Sequence, residues 1–252
     1  MATLYVRKEG NDSNDGSSVA LAKLTILSAE TDSSNSDTID IGEGGFEEVI
    51  TTLNKSITYQ GAGKYKTTIV GAISPLNNNT TLSINDLTLV LNQTVGAYIQ
   101  KTITWNRCRV LGNKLASTRA IWIYGKPIYA NYTEFHDLYY LNYLLFGPLG
   151  GIQLNHCTLY STALNQIILS YGSNQATDFI KNCIFYNIHL TGAWHESMTH
   201  ENNIWYPYTT TGGTDMPFNA SESGENPLFV DPPGAVLSVR DDSPAINMGV
   251  AE

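Results

Sequence analysis

The chain has 252 residues, 42% of them hydrophobic and 15% charged, with a formal net charge of -9. A sizeable core fits that length, whereas the acidity argues against a nucleic-acid partner, which needs a basic patch. No apolar run approaches the ~20 residues of a spanning helix, so no membrane insertion is expected. Three cysteines, Cys108, Cys157 and Cys183, are too few and odd in number for a disulfide framework, and none forms a CxxC pair. Neither a metal site nor a cofactor is expected.

From the N-terminus, residues 1–36 read as a strand, Leu4-Tyr5-Val6, followed by a cap. Within the cap, residues 19–30 are the plausible short helix, placed to cover the first rung of whatever follows. No basic stretch leads into an apolar one in residues 1–30, so no signal peptide is expected. Residues 37–206 then alternate apolar and polar side chains in short pieces, as strands with one buried face do. The early pieces are Thr38-Ile39-Asp40-Ile41-Gly42, Ser56-Ile57-Thr58-Tyr59-Gln60-Gly61, Thr67-Thr68-Ile69-Val70-Gly71 and Thr80-Thr81-Leu82-Ser83-Ile84.

An asparagine then recurs at 85, 106, 131, 155, 182 and 202, spaced by 21, 25, 24, 27 and 20 residues. A period in this range marks a solenoid. Each asparagine is expected at a sharp turn, where it tolerates the left-handed conformation and stacks on its neighbours as an amide ladder. The three cysteines fall at one equivalent position of their rungs and read as a buried stack of small apolar groups. Residues 121–151 are aromatic, and residues 207–252 form a Thr-, Gly-, Ser- and Pro-rich excursion loop followed by a closing segment. The whole reads as one all-β domain, 1–252.

Both ends resemble a known family. The opening strand with Gly10-Asn11-Asp12-Ser13-Asn14-Asp15-Gly16, and Asn226-Pro227-Leu228-Phe229-Val230-Asp231-Pro232 with Ser243-Pro244-Ala245-Ile246-Asn247-Met248-Gly249, resemble the right-handed parallel β-helix (pectate-lyase-like) superfamily. That resemblance implies a β-helix with a short N-terminal cap. It leaves function open, because the superfamily includes lyases, hydrolases, phage tailspikes, adhesins and non-catalytic proteins.

Chemistry is sparse along the chain. Arg109 and Glu134 each fall one residue after the aligned core position, so they should meet across rungs. They form either an acid–base pair or a cross-rung ion pair on a solvated face. The single Asp-Asp, Asp241-Asp242, reads as a turn. His195 and His200 are five apart, which on a strand puts them on opposite faces. Trp122, Tyr124, Tyr129, Tyr139, Tyr140 and Tyr143 form the aromatic group for ligand or interface contact. Their rings suit sugar faces, and equally core, rim or subunit packing.

Three functions fit these features. The first is a non-catalytic virion surface protein, such as a phage tail fibre, spike or capsid decoration, contacting host glycans and assembling as a homotrimer or on other virion proteins. The second is a polysaccharide lyase or glycoside hydrolase. The third is a bacterial surface or filament-forming protein.

Overall fold

A computed structural model describes residues 1–51, 54–71, 80–91, 98–99, 102–112, 122–123, 127–136, 151–167, 178–190, 199–206, 226–227, 229–231, 236–243 and 245. The alternating segments pair in parallel, each with the equivalent segment of the next repeat. The first sheet stacks Thr3–Val6, Thr38–Ile41, Ile57–Gly61, Thr81–Asn85, Thr102–Asn106, Ile128–Asn131, Ile152–Asn155, Phe179–Lys181 and Thr199–Glu201 in chain order. The second stacks Gly44–Phe46, Thr67–Gly71, Thr88–Leu91, Arg109–Leu111, Glu134–His136, Thr158–Ile167, Ile184–Leu190 and Ile204–Tyr206. Parallel pairing of successive repeats in two facing sheets makes the chain a parallel β-helix. A short antiparallel pair, Phe229–Asp231 with Val236–Val239, follows in the closing segment, and Asp241-Asp242 sits in a turn as expected.

The core lies between the sheets. The first sheet turns Ile39, Tyr59, Ile84, Trp105 and Leu154 inward, and the second turns Ile69, Leu89, Val110, Phe135 and Phe185 to meet them, all essentially without solvent exposure. Volumes are matched across the stack: Trp105 pairs in register with Ala130 and meets Phe135 edge-on at 5.6 Å. Burying each large aliphatic or aromatic side chain contributes about 1.5–3 kcal/mol. Gly61 has no room for a Cβ, which would collide with the Asp86 carbonyl of the next rung.

The cap is built differently from the expected single helix. Residues 19–30 divide into a 3-10 turn, Val19–Leu21, and an α-helix, Ile26–Asp32. Between them Asp12 accepts hydrogen bonds from the Leu24 and Thr25 amides, at 2.9 Å each, which interrupts the helix. Thr25 then caps the helix by accepting from the Ser28 amide. The helix packs on the first two strands of the first sheet.

The corner between the sheets explains the sequence repeat. The six rungs that carry the repeating asparagines join the sheets with two residues each: 86–87, 107–108, 132–133, 156–157, 182–183 and 202–203. The first of each pair is left-handed, at Asp86 (φ 55°), Arg107 (52°), Tyr132 (50°), His156 (51°), Asn182 (55°) and Asn202 (55°). In the first four of these rungs, the residue after the asparagine therefore makes the turn, contrary to expectation. Asn85, Asn106, Asn131 and Asn155 end their strands in mutual register, whereas Asn182 and Asn202 occupy the turn itself. The amide ladder crosses this change of position. Asn106 donates to Asn85 (2.9 Å) and Asn131 to Asn106 (3.2 Å), while Asn182 donates to Asn155 (3.0 Å) and Asn202 to Asn182 (3.2 Å).

The second corner residue is buried in every one of these rungs: Leu87, Cys108, Thr133, Cys157, Cys183 and Asn203. The cysteines are unpaired, as expected, but the column is more than an apolar stack. A corner amide is often bonded by the side chain of the next rung. The Cys183 amide donates to Asn203 Oδ1 (2.9 Å), the Cys157 amide to Cys183 Sγ (3.4 Å), and the Cys108 amide to Thr133 Oγ1 (3.5 Å). Cys, Thr and Asn share what this position needs, a compact side chain with an acceptor atom.

Candidate functional site

Inward residues of the second sheet fill the core, so its alternate residues point outward. Two outward columns run along it. One carries Thr88, Arg109, Glu134, Thr158, Ile184 and Ile204; the other carries Leu111, His136, Tyr160, Tyr186 and Tyr206. Arg109 and Glu134 are direct register partners, as their offsets predict. The face they occupy is not solvated, however. Glu134, His136, Tyr160, Ile184 and Ile204 are all buried.

Glu134 is the centre of a charge cluster. Its Oε1 accepts from Lys64 Nζ (2.6 Å) and from the Tyr65 hydroxyl (3.0 Å). Its Oε2 lies 3.0 Å from Arg109 Nε, an ion pair whose angle falls short of a directed hydrogen bond. The carboxylate and Arg109 side chains are only 11% and 12% exposed, against 31% for Lys64. The Lys64 ammonium and the Arg109 guanidinium each lie 5.2 Å from the centre of the Tyr65 ring, close enough for cation–π attraction. Burial, and then the Glu134 charge, push the Tyr65 phenol above its ordinary pKa.

Lys64 and Tyr65 belong to the turn between Ile57–Gly61 and Thr67–Gly71, yet they reach Glu134 several rungs along. The turn is pinned for this reach. The Ala62 amide donates to Thr67 Oγ1 and the Gly63 amide to the Asp86 carbonyl, both at 2.9 Å, while the Thr88 hydroxyl donates to the Lys64 carbonyl. Beside the cluster, His136 stacks on Tyr160 at 4.6 Å, Tyr160 on Tyr186 at 5.1 Å, and Tyr186 lies tilted 5.5 Å from Tyr206. Rings piled along the axis offer each other their faces and turn their edges outward. This geometry favours rung-to-rung cohesion over stacking on a sugar.

The remaining predicted residues are scattered. Tyr129 stands on the other sheet, on its outer face. Trp122 lies in a short parallel pair, Trp122–Ile123 with Tyr98–Ile99, and its ring is outside the described residues. Tyr124, Tyr139, Tyr140, Tyr143 and His195 also lie outside them. Lys64 and Tyr65 carry no periodic signal that sequence could use. The tyrosine pile does: Tyr160, Tyr186 and Tyr206 each follow the last residue of a first-sheet strand by the same offset.

No protein-family model matches the chain, and no curated protein matches it. Among solved structures, it is similar to an arginine-to-alanine mutant of the PL6 family alginate lyase AlyGC, at 12% identity and a TM-score of 0.34. The match covers 83% of this chain and 39% of the lyase.

Proposed function

We propose that the chain is a non-catalytic structural β-helix, a surface component of a virion such as a tail fibre, spike or capsid decoration, whose outer face contacts glycans. The observation that carries the non-catalytic reading is the commitment of Glu134. One oxygen is taken by Lys64 and Tyr65 and the other is ion-paired with Arg109. A general base needs an oxygen within reach of a substrate proton; here two cations and a phenol occupy those approaches. The virion setting draws on the low charge and the abundance of Asn, Thr and Tyr. Assembly as a homotrimer or on other virion proteins belongs to the same reading, and light scattering on the purified protein tests it.

A second reading, polysaccharide lyase or glycoside hydrolase, draws on the same cluster. A carboxylate, two cations and a phenol on one face are the inventory that acid–base cleavage of a sugar polymer uses. Incubation with a panel of acidic and neutral polysaccharides, followed by release of reducing ends and unsaturated products, separates the two. The structural reading expects no release. Cleavage that Glu134→Gln abolishes while the fold survives would establish the enzyme.

A further inference from the structure

The two sheets differ in what they show to solvent. The outer face of the second is buried over much of its length, whereas the outer residues of the first are accessible on every rung. Two outward columns run along this open face. The hydroxyl and aromatic column contains Thr58, Ser83, Thr104, Tyr129, Gln153 and Phe179. The amide column beside it contains Gln60, Asn85, Asn106, Asn131 and Asn155. From the Thr58 rung to the Gln153 rung, neither column carries a charge, in a chain with net charge -9.

The amide column is ordered in advance. A side-chain amide has two N–H donors and two carbonyl lone pairs. Asn106 spends one donor on Asn85 and one lone pair on Asn131. Asn106 therefore keeps one donor and one acceptor for a ligand, and the asparagines repeat at the rung spacing of about 4.8 Å; Gln60, at the end of the column, spends both donors on the Gly61 carbonyl and Asp86 Oδ2. Tyr129 and Phe179, both partly exposed, stand two rungs apart in the neighbouring column, about 10 Å by the same spacing. Lys181 lies over the Phe179 ring at 5.7 Å, and its ammonium is neutralised by Glu201 at 2.5 Å.

We infer that this face binds a neutral linear polysaccharide lying along the solenoid axis, its hydroxyls on the amide column and its ring faces on Tyr129 and Phe179. The inference rests on the glycan-contacting part of the function proposed above. An extended chain of equatorially linked pyranoses advances about one sugar per rung, so the units over Ser83 and Asn85, Thr104 and Asn106, and Tyr129 and Asn131 each meet a hydroxyl and an amide. An acidic polymer is disfavoured, because the two columns carry no unpaired cation among the described residues and the protein is itself an anion.

Calorimetric titration of the full chain with cellohexaose and with a galacturonate hexamer tests this. The neutral hexamer should bind, and the acidic one should bind at least tenfold more weakly. Tyr129→Ala and Phe179→Ala should each weaken the neutral ligand about tenfold, with melting curves confirming that each variant folds. Leu27→Ala, on the cap helix, should leave binding unchanged. Absence of binding to the neutral hexamer, equal or tighter binding of the acidic one, or indifference to both aromatic substitutions overturns the inference. So does a dimer that dissociates in Tyr129→Ala, which would make the face a self-association surface. Product release in these mixtures would instead refute the non-catalytic reading, and the two failures are read separately.

Discussion

Replacing Asn203 by leucine isolates the role of the corner column. Asn203 is fully buried. Its Oδ1 accepts from the Cys183 amide at 2.9 Å, and its Nδ2 donates to the Ile180 carbonyl at 2.9 Å. Leucine keeps the branched shape and satisfies neither group. An unsatisfied buried polar group costs about 1–3 kcal/mol. Two of them cost about 2–6 kcal/mol, and burying an apolar side chain recovers about 1.5–3 kcal/mol, so the central values leave a net loss of about 2 kcal/mol. Urea unfolding followed by far-ultraviolet circular dichroism measures this as a lower midpoint at unchanged slope. Cys183→Ala is the comparison: it loses two weak sulfur contacts, 3.4 Å from the Cys157 amide and 3.0 Å to the Lys181 carbonyl, and a small volume, so it should cost less than Asn203→Leu. An Asn203→Leu loss below about 1 kcal/mol, or equal losses for the two variants, would refute the claim that side chains satisfy the corner amides.

Asn131→Leu should cost about 1–3 kcal/mol by the same assay, because it breaks the bond to Asn106 in the middle of the ladder; a neutral result would remove the ladder from the energetics. Burial pushes the Cys108 thiol up to about 11 from 9.0 and the Cys183 thiol up as well. Native thiol labelling at pH 8 should therefore be slower by orders of magnitude than in urea, and rapid labelling would contradict the burial. Because the Cys108 value is raised in the folded state, its contribution is complete below the unfolded value and is lost as pH rises from about 9 to about 11. Melting temperatures across that range should fall for the wild type and fall less steeply in Cys108→Ala, where the buried Cys183 thiol still contributes.

The rungs were legible because burial repeats with period two and asparagine repeats about every 24 residues, and both signals are local. The Arg109–Glu134 pairing followed from the same alignment. What escaped was geometry decided by neighbours. Asparagine is the residue expected in the left-handed turn, but Asp86, Arg107, Tyr132 and His156 take it in their rungs. Holding such side chains there costs roughly 1–2 kcal/mol each, which the flanking ladders of both sheets offset. Intrinsic preference was overruled by packing. The cysteines looked like small hydrophobes because the acceptor role of the position is visible only when Thr133 and Asn203 are placed in the same column. Lys64 and Tyr65 join Glu134 through a turn that crosses rungs, a contact about 70 residues apart in sequence with no repeat to announce it. The ion-pair reading of Arg109 and Glu134 places them on a solvated face; the burial of Ile184 and Ile204 on that outer face shows that it is largely covered.

The most direct test of the central claim, that Glu134 is a structural strut and not a reacting group, is the stability of Glu134→Gln against urea. Removing one partner of a largely buried ion pair strands the others, here Arg109 and the more exposed Lys64, at a cost approaching 3–5 kcal/mol for full burial. With Lys64 31% exposed, the expected loss is about 2–4 kcal/mol. Residues held for catalysis behave oppositely, because active sites carry strain that substitution relieves. A Glu134→Gln variant as stable as the wild type, or more stable, would show that Glu134 is not a structural strut.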